Sequence, residues 1–147
     1  MASKPFNLET IMETYESNIV HIAAPAERIY TKLADLENFR PMLDQIPADK
    51  VQDVELTSDS LHMTVDPVGK VGMKMVDKEP FKTIKLGADG APIEFFFWIQ
   101  LVEKAENDTK MKLTLKADIP FMLKMMVASK IKEGINKVAE ALAKIPY

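Results

Sequence analysis

The 147 residues include no Cys, which excludes a disulfide scaffold, and a net charge of −3 with Lys and Arg spread along the chain leaves no basic footprint for nucleic acid. An apolar fraction of 47% with 28% charged residues excludes a disordered or fibrous chain. No run approaches the roughly 20 apolar residues that span a bilayer. The start, Met1 to Asn7, lacks a basic segment followed by an apolar one, so the expectation is a cytoplasmic protein. Residues 1–147 read as one folded unit, with 1–13 as a flexible N-terminal extension.

Residues 14–23 alternate and read as a strand that ends at Ala24-Pro25. Pro25 suits a helix start, with Glu27 in the first turn and Ile29 and Leu33 on one face, which predicts a short helix to about Asp35. Asp35 can cap a second helix carrying Leu36, Phe39, Leu43 and Ile46, broken at Pro47.

From Val51 to Ala117 the period becomes two. Six strands are expected, near 51–57, 60–66, 70–79, 82–88, 93–104 and 109–117, and their short connections force antiparallel neighbours. One face is apolar: Leu61, Met63, Val65; Val71, Met73, Met75; Ile93, Phe95, Phe97, Ile99, Leu101; Met111, Leu113, Leu115, Ala117. The other carries His62, Thr64, Lys70, Lys74, Glu94, Gln100, Lys112 and Lys116.

After Pro120 the period returns to 3.6 and predicts one long helix. Leu123, Val127, Ile131, Gly134, Val138, Leu142 and Ile145 form a stripe expected to face the sheet. Gly134 in that stripe is worth about 1 kcal/mol less than Ala in a helix, so it implies either close backbone approach or room for a ligand. The first turns, Phe121, Met122, Leu123, Met125 and Met126, are apolar almost all round and need cover, for which the two short helices are the expected source, with a homodimer partner or a membrane surface as the alternatives. Left exposed, Phe121, Met122, Met125 and Met126 would form a gate.

The order of elements, strand, two short helices, six strands and a long helix, is that of the helix-grip fold. The stretch Ile19-Val20-His21-Ile22-Ala23-Ala24-Pro25-Ala26-Glu27-Arg28-Ile29-Tyr30, continued by Leu33-Ala34-Asp35-Leu36-Glu37-Asn38-Phe39, resembles the opening of the START-like superfamily. That superfamily includes polyketide cyclases, coenzyme Q-binding proteins and birch-pollen-allergen-like proteins. The resemblance implies an α+β domain in which a seven-stranded curved antiparallel sheet wraps a long C-terminal helix. It also implies a cavity for a sterol, acyl chain, quinone or polyketide-like molecule. Pro41-Met42-Leu43 stands where many members place Trp, so that wall is not carried over.

The expected cavity lining is Leu61, Met63, Val65, Met73, Met75, Phe95, Phe97, Ile99, Met111, Leu113, Leu115, Leu123, Val127, Ile131 and Gly134. The alternative is that these side chains simply pack on one another. Ten Met against seven Phe, three Tyr and one Trp suit either a ligand-adaptable lining or a core of gap-fillers. Phe96 and Trp98 fall on the opposite face, where they would support a homodimer or lie under Lys stems. Neither His21 nor His62 has metal-ligand spacing to another strong ligand, and no Gly-rich phosphate loop or nucleophile elbow occurs, so no metal or cofactor is expected. Candidate acids or bases are Tyr15, His21, Tyr30, His62, Asp66 and Glu94, of which the last three alternate onto the wetter face. The sequence therefore favours non-catalytic binding of a small hydrophobic ligand, with a cyclase- or dehydratase-like enzyme and a protein-interaction module as the alternatives.

Overall fold

The computed structural model describes residues 12–45, 47–66 and 69–147. Of the expected N-terminal extension, residues 1–11 lie outside the described residues, whereas Met12 is buried and Glu13 already pairs in a strand. Ile46 and the turn residues Pro67 and Val68 also lie outside them.

The elements run β1 (Glu13–Glu16), β2 (Val20–Ile22), α1 (Ala26–Leu33), a 3-10 turn (Leu36–Phe39), α2 (Arg40–Leu43), β3 (Val51–Leu56), β4 (Ser60–Val65), β5 (Gly69–Glu79), β6 (Thr83–Ala88), β7 (Phe95–Ala105), β8 (Asp108–Ala117) and α3 (Phe121–Ala143). One antiparallel sheet is ordered β1-β8-β7-β6-β5-β4-β3, with β2 also paired to β8. Register shifts in β3, β5 and β7 add unpaired residues, which bend and twist the sheet into a concave surface.

Two expectations need correction at the N-terminal end. The predicted strand over 14–23 is two strands, because Glu16 to Val20 spans four steps while their partners Thr114 to Met111 span three. Ser17 fills the break: its N–H donates to the Leu113 carbonyl, and its hydroxyl accepts the Leu113 N–H, both at 2.9 Å. The extra residue turns Tyr15, Val20 and Ile22 to the concave side and sends His21 outward. The predicted second helix is shorter and tighter than expected. Asp35 does cap it, accepting the Glu37 N–H at 3.0 Å, but its first turn is 3-10 and α2 ends at Leu43.

α1 starts after Pro25, which offers no capping side chain, and Glu103 of β7 accepts the Ala26 N–H at 3.0 Å instead. This borrowed cap fixes α1 on the end of the sheet. Ile29 and Leu33 of α1 then join Ile22, Ile84, Ile99, Leu101, Met111, Leu113, Ile135, Ala139 and Leu142 in the buried core. That core occupies only one end of the concavity, beneath the C-terminal half of α3.

The long helix is rotated from its expected facing. It packs on β1, β2 and β8 through Ile135, Ala139 and Leu142, while Val138 and Leu123 are exposed. Polar ties set this rotation: Lys124 binds Glu13, Lys132 donates to the Glu16 carbonyl, and Asn136 accepts the Asn18 N–H at 2.7 Å. All three ties lie on the β1 edge. At 100° per residue they leave Leu123, Val127, Gly134 and Val138 on the flank that overlooks the middle of the sheet.

Candidate functional site

Strand register arranges the concave side chains in rows. At the closed end Leu113 lies opposite Ile99 and Ile99 opposite Ile84, and Met111 lies opposite Leu101 and Val20; all but Val20 are fully buried. The next row runs Tyr15, Leu115, Phe97, Leu86 and Met75 across β1, β8, β7, β6 and β5. The following row starts Glu13, Ala117, Phe95 and continues through Ala88, Met73 and Leu61. Met63 faces Val71 beyond it.

In these outer rows Leu61, Leu86, Phe95 and Ala117 are buried, but Met63, Val65, Val71, Met73, Met75, Phe97 and Leu115 are only half-buried although they face inward. Across from them stand Val127 and Gly134, half-buried, and Leu123, 48% exposed. A Cβ built on Gly134 meets no atom within 4 Å, so close backbone approach is not what this glycine provides. It borders open space. These half-buried apolar side chains are the candidate lining of a cleft between the N-terminal half of α3 and the outer part of the sheet.

The expected lining thus divides in two. Phe95, Ile99, Met111 and Leu113 are buried, the last three inside the core cluster, while Met63, Val65, Met73, Met75, Phe97, Leu115, Val127, Ile131 and Gly134 are half-buried. β6 supplies Ile84, Leu86 and Ala88 to the same face; their alternation was present in the sequence. Glu13 and Lys124 at the rim were missed because β1 was expected to begin one residue later and because Lys124 sits among apolar neighbours.

Among the described residues, the two short helices do not supply the cover expected over the start of α3. Phe121, Met122, Met125 and Met126 are 72%, 81%, 76% and 69% exposed, because α1 and α2 lie over the other end of the helix. Between α2 and that other end runs a groove of about 980 Å3, lined by Lys32, Arg40, Met42, Lys137, Glu140 and Lys144 among others. Its charged rim makes it unlike the apolar cleft.

On the convex face, Phe96 and Trp98 are half-buried with ring centroids 6.0 Å apart. The Lys85 ammonium lies 4.4 Å from the Phe96 centroid and 5.1 Å from that of Trp98, and Lys116 lies 5.6 Å from Trp98. Gly87 is paired with Phe96; a Cβ there would meet the Phe96 ring at an ordinary contact distance of 3.6 Å and crowd Val76 at 3.2 Å.

The remaining candidate acids and bases do not converge. His21 is exposed, 3.6 Å from Asp108; Asp66 and Glu94 are exposed; Tyr30 is half-buried, edge-on to Phe81 at 5.7 Å. His62 Nε2 pairs with Asp89 Oδ2 at 3.0 Å on the convex side, where Gly72 is indispensable: a Cβ there would stand 1.8 Å from the Asp89 carbonyl oxygen. Tyr147 donates to the Leu142 carbonyl at 2.6 Å, and burial holds its phenol above the ordinary value of 10.0. Among the described residues no cluster of three or more His, Asp or Glu could hold a metal ion, and no helix is long and apolar enough to cross a membrane.

No family model and no curated protein matches the sequence. Solved structures do match the fold. A point mutant of norcoclaurine synthase from Thalictrum flavum, in complex with a transition-state analogue, superposes with a TM-score of 0.69 at 18% identity over 91% of this chain and 93% of that one. The same enzyme in complex with dopamine and hydroxybenzaldehyde gives 0.68 at 15% identity, over 98% and 92%. A START superfamily protein from Mycobacterium smegmatis gives 0.58 at 13% identity, over 88% and 98%. The chain has the helix-grip fold.

Proposed function

We propose that this protein is a non-catalytic, cytoplasmic carrier of a small hydrophobic molecule, of the lipid, sterol, quinone or polyketide-like class, held in the cleft between the outer sheet and the N-terminal half of α3. The observation that supports it is the half-buried state of seven inward-facing apolar side chains, Met63, Val65, Val71, Met73, Met75, Phe97 and Leu115. A concave surface of this kind gains about 25 cal/mol for each Å2 of apolar area that a ligand removes from water. Met at three of the seven positions lets the wall adjust to ligands of different shape. Titrating the protein with a fluorescent acyl probe tests the reading. Saturable binding that Met73→Glu weakens at least tenfold is expected; no saturable binding, together with no organic molecule in protein extracted from its native host, sinks it.

A cyclase- or dehydratase-like activity is the second reading. It is favoured by three ionisable groups at the cleft, Glu13 and Tyr15 on the concave side of β1 and Lys124 bound to Glu13, and by the printed identity of one structural neighbour as a synthase. A general acid or base must reach the reacting atom. No turnover of a polyketide-like or aldehyde substrate by the wild-type chain would remove this reading; turnover that Glu13→Gln or Tyr15→Phe abolishes would support it.

A further inference from the structure

We infer that the first two turns of α3 are a peripheral docking tip for an anionic phospholipid surface. Phe121, Met122, Leu123, Met125 and Met126 are all exposed. At 100° per residue they cover an arc of about 200°, which runs from the β1 edge across the outer side of the helix to the cleft. Lys124 is the exception in this stretch, because it points inward to Glu13.

The shape of this patch selects its occupant. A helix that docks on a protein groove or on a second copy presents a one-sided stripe, with polar residues behind it. Here the apolar surface wraps more than half the circumference, which suits immersion of the whole turn in a fluid medium. Its length is right for that: six residues rise roughly 9 Å, within the roughly 5–10 Å to which interfacial helices sink. Three of the five side chains are Met, whose flexible thioethers adapt to disordered acyl chains.

Charge supports the same occupant. The chain as a whole is acidic, at −3, yet from Ile119 to Lys132 it carries Lys130 and Lys132 and no Asp or Glu, besides Lys124, whose charge is paired with Glu13. Lys130 and Lys132 are exposed, about two turns behind the apolar tip. They stand where phospholipid head groups would lie once the tip is immersed. No helix of the described residues can span a bilayer, so the contact is peripheral. The tip also borders the mouth of the cleft, so that an apolar molecule leaving the bilayer would pass directly between α3 and the outer strands. Docking stands on the tip alone and does not require that the cleft hold a ligand.

Flotation of the full chain with vesicles tests this. The chain is expected to float with phosphatidylcholine–phosphatidylserine vesicles and less with phosphatidylcholine alone. Replacing both Met122 and Met125 by Glu should lower partitioning at least about tenfold, since each side chain loses its apolar burial. Lys130→Glu should lower it about fivefold on the anionic vesicles and little on the neutral ones. Both sites are exposed, so an unchanged thermal midpoint and circular dichroism spectrum will show that the variants fold. The inference is overturned if the wild-type chain stays unbound to anionic vesicles, or if the double variant floats as well as the wild type. It is also overturned if sedimentation shows a dimer that the double variant dissociates while neither protein floats. Acyl-probe binding without vesicles is a separate readout: its loss with flotation intact removes the carrier reading and leaves the docking tip.

Discussion

The two halves of the long helix meet opposite surroundings. From Ile135 to Leu142 the helix packs on the sheet and shares one buried cluster with Ile29 and Leu33 of α1, and Ala139 and Leu142 are at most 1% exposed. From Phe121 to Met126 the same helix presents its largest apolar side chains to solvent. Helix propensity does not separate the halves, since good helix formers are frequent in both: Met, Leu and Lys from Phe121 to Met126, and Ala, Leu, Lys and Glu from Ile135 to Leu142. The difference lies in what faces them: α1, Ile84, Ile99 and Leu113 fill one end of the concavity, while at the other end the described residues supply no second layer of side chains. The closed half carries stability, and the open half is where binding is proposed.

This contrast can be broken or sharpened by substitution. Leu142→Ala should cost about 3 kcal/mol in urea unfolding, since it empties a fully buried site, whereas Met125→Ala should stay within about 0.5 kcal/mol. Comparable losses at the two sites would erase the distinction. Gly72→Ala should cost about 2 kcal/mol, because the new methyl would strike the Asp89 backbone and not a movable side-chain end. Its thermal midpoint should fall accordingly.

Tyr147→Phe should cost about 1 kcal/mol at neutral pH through the lost hydrogen bond to Leu142. Burial raises the phenol pKa of the folded state, so between 10.0 and that raised value the unfolded chain loses its proton first. Stability contributed below pH 10 is therefore lost as pH rises. The Phe variant should show a shallower decline above pH 10 than the wild type; identical slopes would remove burial of Tyr147 as a factor.

Of opposite sign is Gly134→Ala, which should raise stability by about 1 kcal/mol, because open space surrounds the site and Ala is the better helix former. If Gly134 borders a ligand, the same variant should weaken probe binding while it strengthens the fold. Unchanged probe binding with a stronger fold would show that the glycine has no part in binding.

Much of the fold was legible because its signals are local. Alternation from Val51 to Ala117 marks six strands within two residues of their observed ends, and Pro120 marks the start of α3. The facing of α3 was not legible. Two rows compete on it: Leu123, Val127, Gly134 and Val138 on one side, and Ala128, Ile135, Ala139 and Leu142 on the other. Hydrophobicity ranks the first row at least as high. The second row lies against the sheet because its alanines allow close approach and because Lys124, Lys132 and Asn136 find partners on β1 and the residues after it.

The candidate site shows the same division. An apolar concave face could be read from period-two spacing, but not which rows would be packed and which left open, since that depends on where α1 and α2 come to rest. Likewise the bulge at Ser17 decides that Tyr15 faces the cleft and His21 does not, and no local pattern announces a single inserted residue. By itself the sequence determined the elements, their order and the apolar face of each strand, because these follow from backbone period and turn chemistry within a few residues. Only tertiary structure decided the rotation of α3, the half-filled concavity and the bare helix tip, because each depends on surfaces brought together from distant parts of the chain.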